Sequence, residues 1–268
     1  MELFVGMRKI LKSSITRRGF VNLAAVGVGG SLLETAIKPL LAEPVAKGQI
    51  KAILFDGFPI FDVRSVFALV EKMFPQKGVE LSNEWRTRQF EYTWLRVVSQ
   101  RYVDFWQVTE ESLGYAAEKV NVEVTPQQRA ELMNAYLELK PWPEVPAALD
   151  ALKKAGYRLG FLSNLTPKML AGCIRSSGLE GMFEKVLSTD DVKTFKPDPR
   201  AYQLGVDSLK LKRESILFVA FAGWDAAGAK SFGYPTFWVN RLKLPTERLG
   251  VVPDATGGTL TDVVQYLA

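Results

Sequence analysis

Short apolar segments in this sequence are followed by polar residues at the points where buried strands should end. Those polar residues are Asp56, Ser163 with Asn164, Lys196 and Asp225. In an open α/β sheet, ligands bind beyond the carboxyl ends of the strands, so polar groups at that edge face a substrate rather than the core. Each of them could singly be a turn former, a helix cap or a solvated charge. As an ordered set they predict a functional site.

The composition limits the chemistry of that site. The chain has no histidine and one cysteine, Cys173. A single cysteine cannot form an internal disulfide, and as a nucleophile it would lack a histidine base. The absence of histidine also removes Ser-His-Asp catalysis and the usual zinc sites. Acid–base chemistry must therefore come from Asp, Glu, Lys or Tyr.

The positive charge is concentrated at the N-terminus. Of the formal net charge of +5, residues 1–42 contribute +4, from six basic and two acidic side chains, and the remainder contributes +1. A nearly neutral body gives no electrostatic case for nucleic acid or an anionic membrane as a partner.

The basic leader is similar to a bacterial twin-arginine export signal. Thr16-Arg17-Arg18-Gly19-Phe20-Val21 precedes a weakly apolar, glycine-rich stretch that is too short for a stable membrane span. The likeness predicts a signal peptide over residues 1–42, a mature chain that begins near Glu43, and a periplasmic location without a membrane anchor after export. The alternative is an N-terminal arm that carries a chance Arg-Arg pair.

The rest of the chain predicts an α/β fold. Apolar runs predict strands over residues 52–55, 157–162, 186–188, 216–220 and 236–239, and helical patterns separate the later ones. Alternating βα units predict a parallel sheet with helices on both faces. We therefore expect a Rossmann-like core formed by residues 50–64 and 141–268.

The segment between these two parts of the core has only helical signals. Thr109 is a candidate N-cap, because Glu110 and Glu111 suit a first turn. Thr125-Pro126 opens another helix, with proline at its first position. Residues 65–140 therefore predict an all-helical cap domain inserted after the first strand.

The ordered strand-end groups resemble the four motifs of the haloacid dehalogenase (HAD) superfamily: a nucleophilic Asp, a Ser or Thr, a Lys and a terminal acid. The likeness runs over about residues 51–242 and is closest to the (S)-2-haloacid dehalogenases. The segments that carry it are Trp85-Arg86 with Gln89 to Arg96, Arg101 to Phe105, Lys196-Pro-Asp with Tyr202, Trp224-Asp225-Ala-Ala-Gly-Ala, and Trp238-Val-Asn-Arg241.

This resemblance implies hydrolysis of a short 2-haloacid in two steps. Asp56 attacks C2 and expels halide to form an ester, which water then hydrolyses. Lys196 would keep Asp56 ionised, Asp225 would place the water, and Arg86 would reach from the cap to the departing halide. The resemblance implies no cofactor and no metal. Phosphatases of the superfamily use a second Asp where this chain has Phe58, and a halide leaves as a stable anion without such an acid.

The resemblance also implies a substrate-binding set. Ser163 and backbone N–H groups near Gly57, Phe58 and Asn164 would hold the substrate carboxylate. The remaining members implied are Phe58, Phe90, Phe105 and Trp224 around a dry pocket, together with Tyr202. The aromatic residues could equally be ordinary core.

Three positions depart from the family pattern. Ile60, Ala220 and Ala222 stand where the family carries Thr, Ser and Asn. Because a positioned hydrogen bond can be worth about 10²-fold in rate, two alternatives stay open. One is a degenerate member that binds a small carboxylate or a protein; the other is a different HAD hydrolase. The likeness further suggests a homodimer through the cap helices, where Trp94 and Trp106 could serve unless they belong to the core.

Overall fold

Six parallel strands form the sheet on which the described chain is built; the computed structural model describes residues 49–268. The strands lie in the order β3-β2-β1-β4-β5-β6, and every neighbouring pair is parallel. They are β1 (Ala52–Phe55), β2 (Arg158–Ser163), β3 (Lys185–Ser188), β4 (Ile216–Ala220), β5 (Thr236–Val239) and β6 (Ala255–Gly257). The predicted α/β fold with a Rossmann-like sheet is confirmed.

The central strand β1 is buried on both faces. Ile53 and Phe55 join one apolar cluster, whereas Ala52 and Leu54 join the other on the opposite face. A strand covered on both sides reads as a continuous apolar run rather than as an alternating one. This is why the short run before Asp56 predicted the strand correctly.

Ten α-helices surround the sheet within residues 49–268, and α2–α5 form the helical cap between the first two strands. The helices are α1 (Gly57–Ile60), α2 (Arg64–Met73), α3 (Gly78–Ser99), α4 (Phe105–Lys119), α5 (Pro126–Ala135), α6 (Val145–Lys154), α7 (Pro167–Ser176), α8 (Pro199–Leu209), α9 (Gly223–Phe232) and α10 (Leu260–Leu267). None of them is both long enough and apolar enough to cross a membrane. The predicted signal peptide lies outside the described residues.

The start of α4 differs from the prediction. Its N-cap is Asp104, whose carboxylate accepts the N–H of Gln107 at 2.8 Å, and Thr109 lies inside the helix. The Thr109 hydroxyl donates to the Phe105 carbonyl at 2.6 Å and accepts from Gln89 Nε2 of α3 at 2.7 Å. A polar residue that suggested a helix end is thus a buried link between the two longest cap helices.

Other helix ends follow the sequence signals. Thr125 and Gln128 form a reciprocal capping box at the start of α5. Gly233 ends α9 with a φ of 102°, a conformation that favours glycine. Pro146 lies in the first turn of α6, where its missing N–H is not needed. Helix α10 and strand β6 were not predicted.

Candidate active site

Asp56 lies at the junction between β1 and α1. Its backbone N–H donates to the Val219 carbonyl of β4, which fixes the residue at the end of the sheet. Its side chain caps α1 by accepting the Phe58 N–H at 3.2 Å. A Cβ at Gly57 would lie 2.7 Å from Leu165 and 3.1 Å from Ser163 Oγ, so glycine lets α1 approach the end of β2. The carboxylate is therefore held by the backbone, and the Asp56 side chain is only 12% exposed.

Lys196 bridges two carboxylates beneath this position. Its Nζ lies 2.8 Å from Asp56 Oδ1 and 2.6 Å from Asp225 Oδ2, and the residue is 1% exposed. The backbone N–H of Lys196 donates to Asn164 Oδ1 at 3.0 Å, which ties the lysine to the end of β2. Charged hydrogen bonds in a buried setting are strong and directional. The three strand-end charges predicted separately thus form one buried ionic cluster.

The electrostatics of the cluster favour a charged lysine. Burial opposes the ammonium form of Lys196, but the carboxylates of Asp225 and Asp56 outweigh it and hold its pKa above the ordinary value. Burial raises the pKa of Asp225 to about 6; the ammonium of Lys196 opposes this rise and the charge of Asp56 adds to it. The hydroxyl of Tyr202 donates to Asp225 Oδ1 at 2.7 Å, and burial beside that carboxylate raises the tyrosine pKa well above its usual range.

The end of β2 supplies neutral polar groups. Ser163 Oγ accepts the Leu165 N–H at 3.2 Å and lies 3.5 Å from Asp56 Oδ1. The Asn164 carbonyl oxygen accepts from Thr189 Oγ1 as well as from the backbone of Lys196. These bonds use the Asn164 oxygen, so its amide NH₂ remains the group available to a ligand.

A cavity of about 370 Å³ opens above Asp56, and its walls are mainly apolar. The predicted residues on its wall are Asp56, Phe58, Arg86, Phe90, Phe105, Ser163, Asn164, Trp224 and Asp225. The structure therefore brings most of the predicted catalytic and substrate-binding residues to one place. Charge interactions are stronger in such a water-poor setting than in bulk water.

The roof of the cavity comes from the cap. Arg86, Phe90 and Trp94 recur at intervals of four along α3 and line the same cavity. The Arg86 guanidinium lies over the Phe67 ring, 5.8 Å from its centroid, and its nearest side-chain hydrogen-bond partner is Asn83 at 3.5 Å. This loose engagement leaves Arg86 able to turn toward an anion.

Three predicted site residues lie behind the cavity wall. Lys196, Gly57 and Tyr202 are buried and are absent from the lining. The Tyr202 hydroxyl is directed at Asp225, and contact of Tyr202 with the substrate stays a prediction. We therefore describe Tyr202 as a residue that positions Asp225.

Part of the cavity lining was not predicted from the sequence. The missed residues are Thr87, Glu91, Trp94, Leu165, Phe221, Ala222, Gly223, Asn240, Leu242, Leu244 and Glu247. The spacing of Trp94 relative to Arg86 could have identified it, because residues separated by eight positions share one helix face. The residues after β5 have no periodic signal, so the sequence did not indicate that they approach the site.

The residues that depart from the family pattern leave one side of the site apolar. Ile60 is buried among core side chains, and Ala220 ends β4. Ala222 is the N-cap of α9 and makes no side-chain cap bond. The Phe221 ring packs edge-on against Phe58, with centroids 6.1 Å apart. On this side, Asp56 therefore faces methyl groups and aromatic rings instead of hydrogen-bonding side chains.

The chemistry of the cluster fits a carboxylate nucleophile. Asp56 is ion-paired, oriented and exposed on one side to an apolar cavity, which is the setting that activates such a group. Within residues 49–268, no three His, Cys, Asp or Glu side chains lie close enough together to hold a metal ion. The cation between Asp56 and Asp225 is the ammonium of Lys196.

Comparison with known proteins agrees with this geometry. A family model described as haloacid dehalogenase-like hydrolase matches residues 41–233. The haloacetate dehalogenase H-2 of Moraxella sp. (strain B) is 39% identical over 82% of this chain and 99% of its own length. The (S)-2-haloacid dehalogenase of Pseudomonas sp. (strain YL) is 42% identical over 81% of this chain and 94% of its own.

Solved structures give the same result. The L-2-haloacid dehalogenase RSc1362 is 41% identical, with a TM-score of 0.80 over 81% of this chain and 98% of that one. The L-2-haloacid dehalogenase of Xanthobacter autotrophicus with chloropropionic acid covalently bound is 32% identical, with a TM-score of 0.75 over 81% of this chain and 97% of that one. The chain belongs to the haloacid dehalogenase-like hydrolases and, within them, to the family of the (S)-2-haloacid dehalogenases.

Proposed function

We propose that this protein hydrolyses 2-haloacids through an ester on Asp56, releasing halide and a 2-hydroxy acid. One observation carries the proposal: the Asp56 carboxylate is fixed by Lys196 and by the Phe58 N–H at the floor of an apolar cavity. Phe58 also stands two residues after the nucleophile, so no second carboxylate is present there to protonate a phosphate leaving group.

In the first step, one Asp56 oxygen attacks C2 of the substrate. Oδ1 is engaged by Lys196 and Ser163, whereas Oδ2 accepts the backbone N–H of Phe58. Oδ2 is the less encumbered atom and we assign it as the nucleophile. A C–O bond forms as the carbon–halogen bond breaks, and the halide leaves with the bonding electrons toward Arg86. No proton is required.

In the second step, water attacks the Asp56 carbonyl carbon. The acyl C–O bond of the ester breaks, one proton of the water goes to the hydroxy acid and the other to Asp225, and the water oxygen remains in the regenerated carboxylate. Asp225 is the second carboxylate that contacts Lys196 and also lines the cavity. It is the group placed to accept the water proton.

The names of the relatives support this chemistry. The Xanthobacter autotrophicus enzyme is described with chloropropionic acid covalently bound, which is the kind of species that the first step would produce here.

Halide release from (S)-2-chloropropionate tests the proposal. We expect the wild-type protein to release chloride and Asp56→Asn to release none above background, because an amide is a far weaker nucleophile. Asp62→Asn is the matched control: this carboxylate lies six residues further on and pairs with Arg64 at the surface. Equal background release by wild type and Asp56→Asn would refute the proposal.

A second candidate function is binding of a small carboxylate without turnover. It is favoured by the apolar groups at Ile60, Ala220 and Ala222. Mass spectrometry of peptides that contain Asp56, after reaction with the haloacid, separates the two functions. An ester at Asp56 supports catalysis even where turnover is slow, whereas tight binding with no mass shift and no halide supports the binding module.

We further propose that a second copy of the chain covers an apolar surface on α3, giving a homodimer. Val98 is 82% exposed, and Leu95 and Leu249 are also large exposed apolar residues. Val97, Val98 and Leu249 line an apolar groove between α3 and α9, and large exposed apolar patches mark interaction sites. Trp106 instead lies under Lys168, which is 4.7 Å from its ring.

Sedimentation should give a dimer for wild type and a monomer for Val98→Asp; a monomeric wild type would contradict the proposal.

Export to the periplasm by the twin-arginine route is proposed from the leader sequence alone. Fractionation of cells that produce the full chain tests it. Replacing both Arg17 and Arg18 with lysine should move the protein from the periplasmic to the cytoplasmic fraction. An unchanged periplasmic pool would refute the assignment of the signal.

A further inference from the structure

The active-site cavity is larger than a three-carbon haloacid requires. Its volume of about 370 Å³ falls within the range of pockets that hold drug-sized ligands, roughly 300–1,000 Å³, whereas 2-chloropropanoate has only six non-hydrogen atoms. The reacting end of a 2-haloacid needs only the groups around Asp56, namely Ser163, Asn164 and Arg86. Apart from Phe58 and Asp225, the remaining wall has no role in the proposed mechanism.

The roof shows in which direction the additional space extends. Arg86, Phe90 and Trp94 span eight residues of α3, which is about 12 Å along a helix at 1.5 Å per residue. One end of this row is cationic and the other is aromatic. An anionic head with an apolar tail would match both ends.

The aromatic end is a preformed apolar binding surface. Trp224 packs edge-on against both Phe90 and Trp94, with ring centroids 5.6 Å and 5.5 Å apart. Leu242 and Leu244, from the segment after β5, also line the cavity, and about half of each side chain is exposed to solvent. Covering these exposed apolar groups would contribute favourably to binding.

Carboxylates restrict what this end can accept. Glu247 lines the cavity beside Gly223, where an added Cβ would lie 3.1 Å from its carboxylate oxygen. The charge of Glu91, on the same helix as the roof, is compensated by Arg88 at 2.8 Å, so the repulsion comes from Glu247. A tail that ended in a second carboxylate would be repelled, whereas an alkyl or aryl tail would not.

We propose that the cavity selects 2-haloacids whose C2 substituent is a long alkyl or aryl group. The carboxylate and halogen lie near Asp56 and Arg86, and the tail lies against the surface that Trp94, Trp224 and Leu244 form on the cavity wall. This inference rests on the proposed function and specifies its substrate class.

The test compares kcat/KM of the full chain for (S)-2-bromopropanoate, (S)-2-bromobutanoate and (S)-2-bromohexanoate. Burial of each added methylene should raise kcat/KM by about fourfold. Leu244→Ala should lower the ratio of the hexanoate value to the propanoate value by about fivefold. Val252→Ala is the matched control, because it shortens another exposed apolar side chain that does not line the cavity, and it should leave the ratio unchanged. A ratio near one in the wild type would overturn the inference and leave the dehalogenase proposal standing.

A binding measurement keeps the two proposals separable if no halide is released. Calorimetry of the wild-type chain with (S)-2-hydroxyhexanoate and (S)-2-hydroxypropanoate compares the tail contribution without chemistry. Tighter binding of the hexanoate supports the tail site even where the dehalogenase proposal fails. Equal binding of the two hydroxy acids refutes the tail site. 2-Hydroxyadipate, which adds a terminal carboxylate, should bind more weakly than the hexanoate.

Discussion

The two sides of the Asp56 carboxylate differ sharply. On one side, Lys196, Asp225 and Tyr202 form a buried chain in which each polar group contacts the next at 2.6–2.8 Å. On the other side, Phe221 and Ala222 offer a ring and a methyl group to the cavity. The polar side orients the nucleophile, whereas the apolar side lacks side chains that could orient water.

This difference separates the two half-reactions. Displacement of halide needs an ionised, oriented carboxylate and an apolar cavity; the polar side provides the carboxylate and the apolar side lines the cavity. Hydrolysis of the ester needs a water molecule held near the Asp56 carbonyl, and hydrogen-bond donors and acceptors hold water in proteins. The chain is therefore better equipped for forming the ester than for cleaving it.

The largest effect should come from removing the cation of the polar side. Lys196→Met leaves Asp56 and Asp225 as buried carboxylates without their shared partner, which should lower the free energy of unfolding by about 3–5 kcal/mol. Lys193→Met is the matched control, because its ammonium pairs with Asp190 at the surface, and it should cost less than about 1 kcal/mol. Urea denaturation measures both. Equal losses for the two variants would show that the buried cluster does not depend on Lys196.

The next effect should come from adding a polar group to the apolar side. Ala222 has the extended backbone of an N-cap, a position that accepts asparagine readily, and it lines the cavity. Ala222→Asn should raise the steady-state rate by up to about 10²-fold, the value of one positioned hydrogen bond. Ala222→Leu is the matched control, because leucine has nearly the same shape without the polar atoms.

Rapid-mixing measurements identify the half-reaction that changes. The wild type should show a burst of about one halide per site before a slower steady state, because the ester accumulates. Ala222→Asn should raise the steady-state rate and leave the rate constant of ester formation unchanged, whereas Ala222→Leu should not raise the steady-state rate. The absence of a burst in the wild type would mean that the apolar side does not limit turnover.

Much of the polar side could be predicted from the sequence. Asp56 and Ser163 stand at the ends of apolar runs and Lys196 comes after the third run, and parallel topology brings the ends of such runs to one edge of the sheet. The distances could not be predicted, because 140 residues separate Asp56 from Lys196. Only the fold shows that one ammonium contacts both carboxylates.

The cavity and the cap were harder to predict. Thr109 carries a helix-start signal in its own neighbourhood, but its hydroxyl bonds to Gln89 twenty residues away, so tertiary contact decided its role. Leu244 lies in an irregular segment, where neither periodicity nor capping residues report what the chain approaches. Tyr202 was assigned to the substrate by resemblance, whereas its hydroxyl contacts Asp225. In each case a partner distant in sequence determined the position.

The smallest effect should be a shift in pH dependence on the polar side. Because burial raises the pKa of Asp225 to about 6, the group is protonated below that pH and cannot accept a proton from water. Ester hydrolysis should therefore fall about tenfold per pH unit below pH 6 and level off above it. This fall is the acid limb of the pH profile. The halide burst does not require Asp225 as a base, so its rate should show no such limb.

Tyr202→Phe sharpens that test. The Tyr202 hydroxyl stabilises the ionised form of Asp225, so its loss should raise the Asp225 pKa and move the limb upward by about one pH unit. Tyr234→Phe is the matched control, because this buried hydroxyl donates to the Tyr202 carbonyl rather than to a carboxylate. If both variants keep the limb of the wild type, Asp225 is not the base. If only Tyr202→Phe moves the limb, the polar side governs hydrolysis as well as displacement. The apolar side then limits the rate of hydrolysis but does not set the pH dependence of hydrolysis.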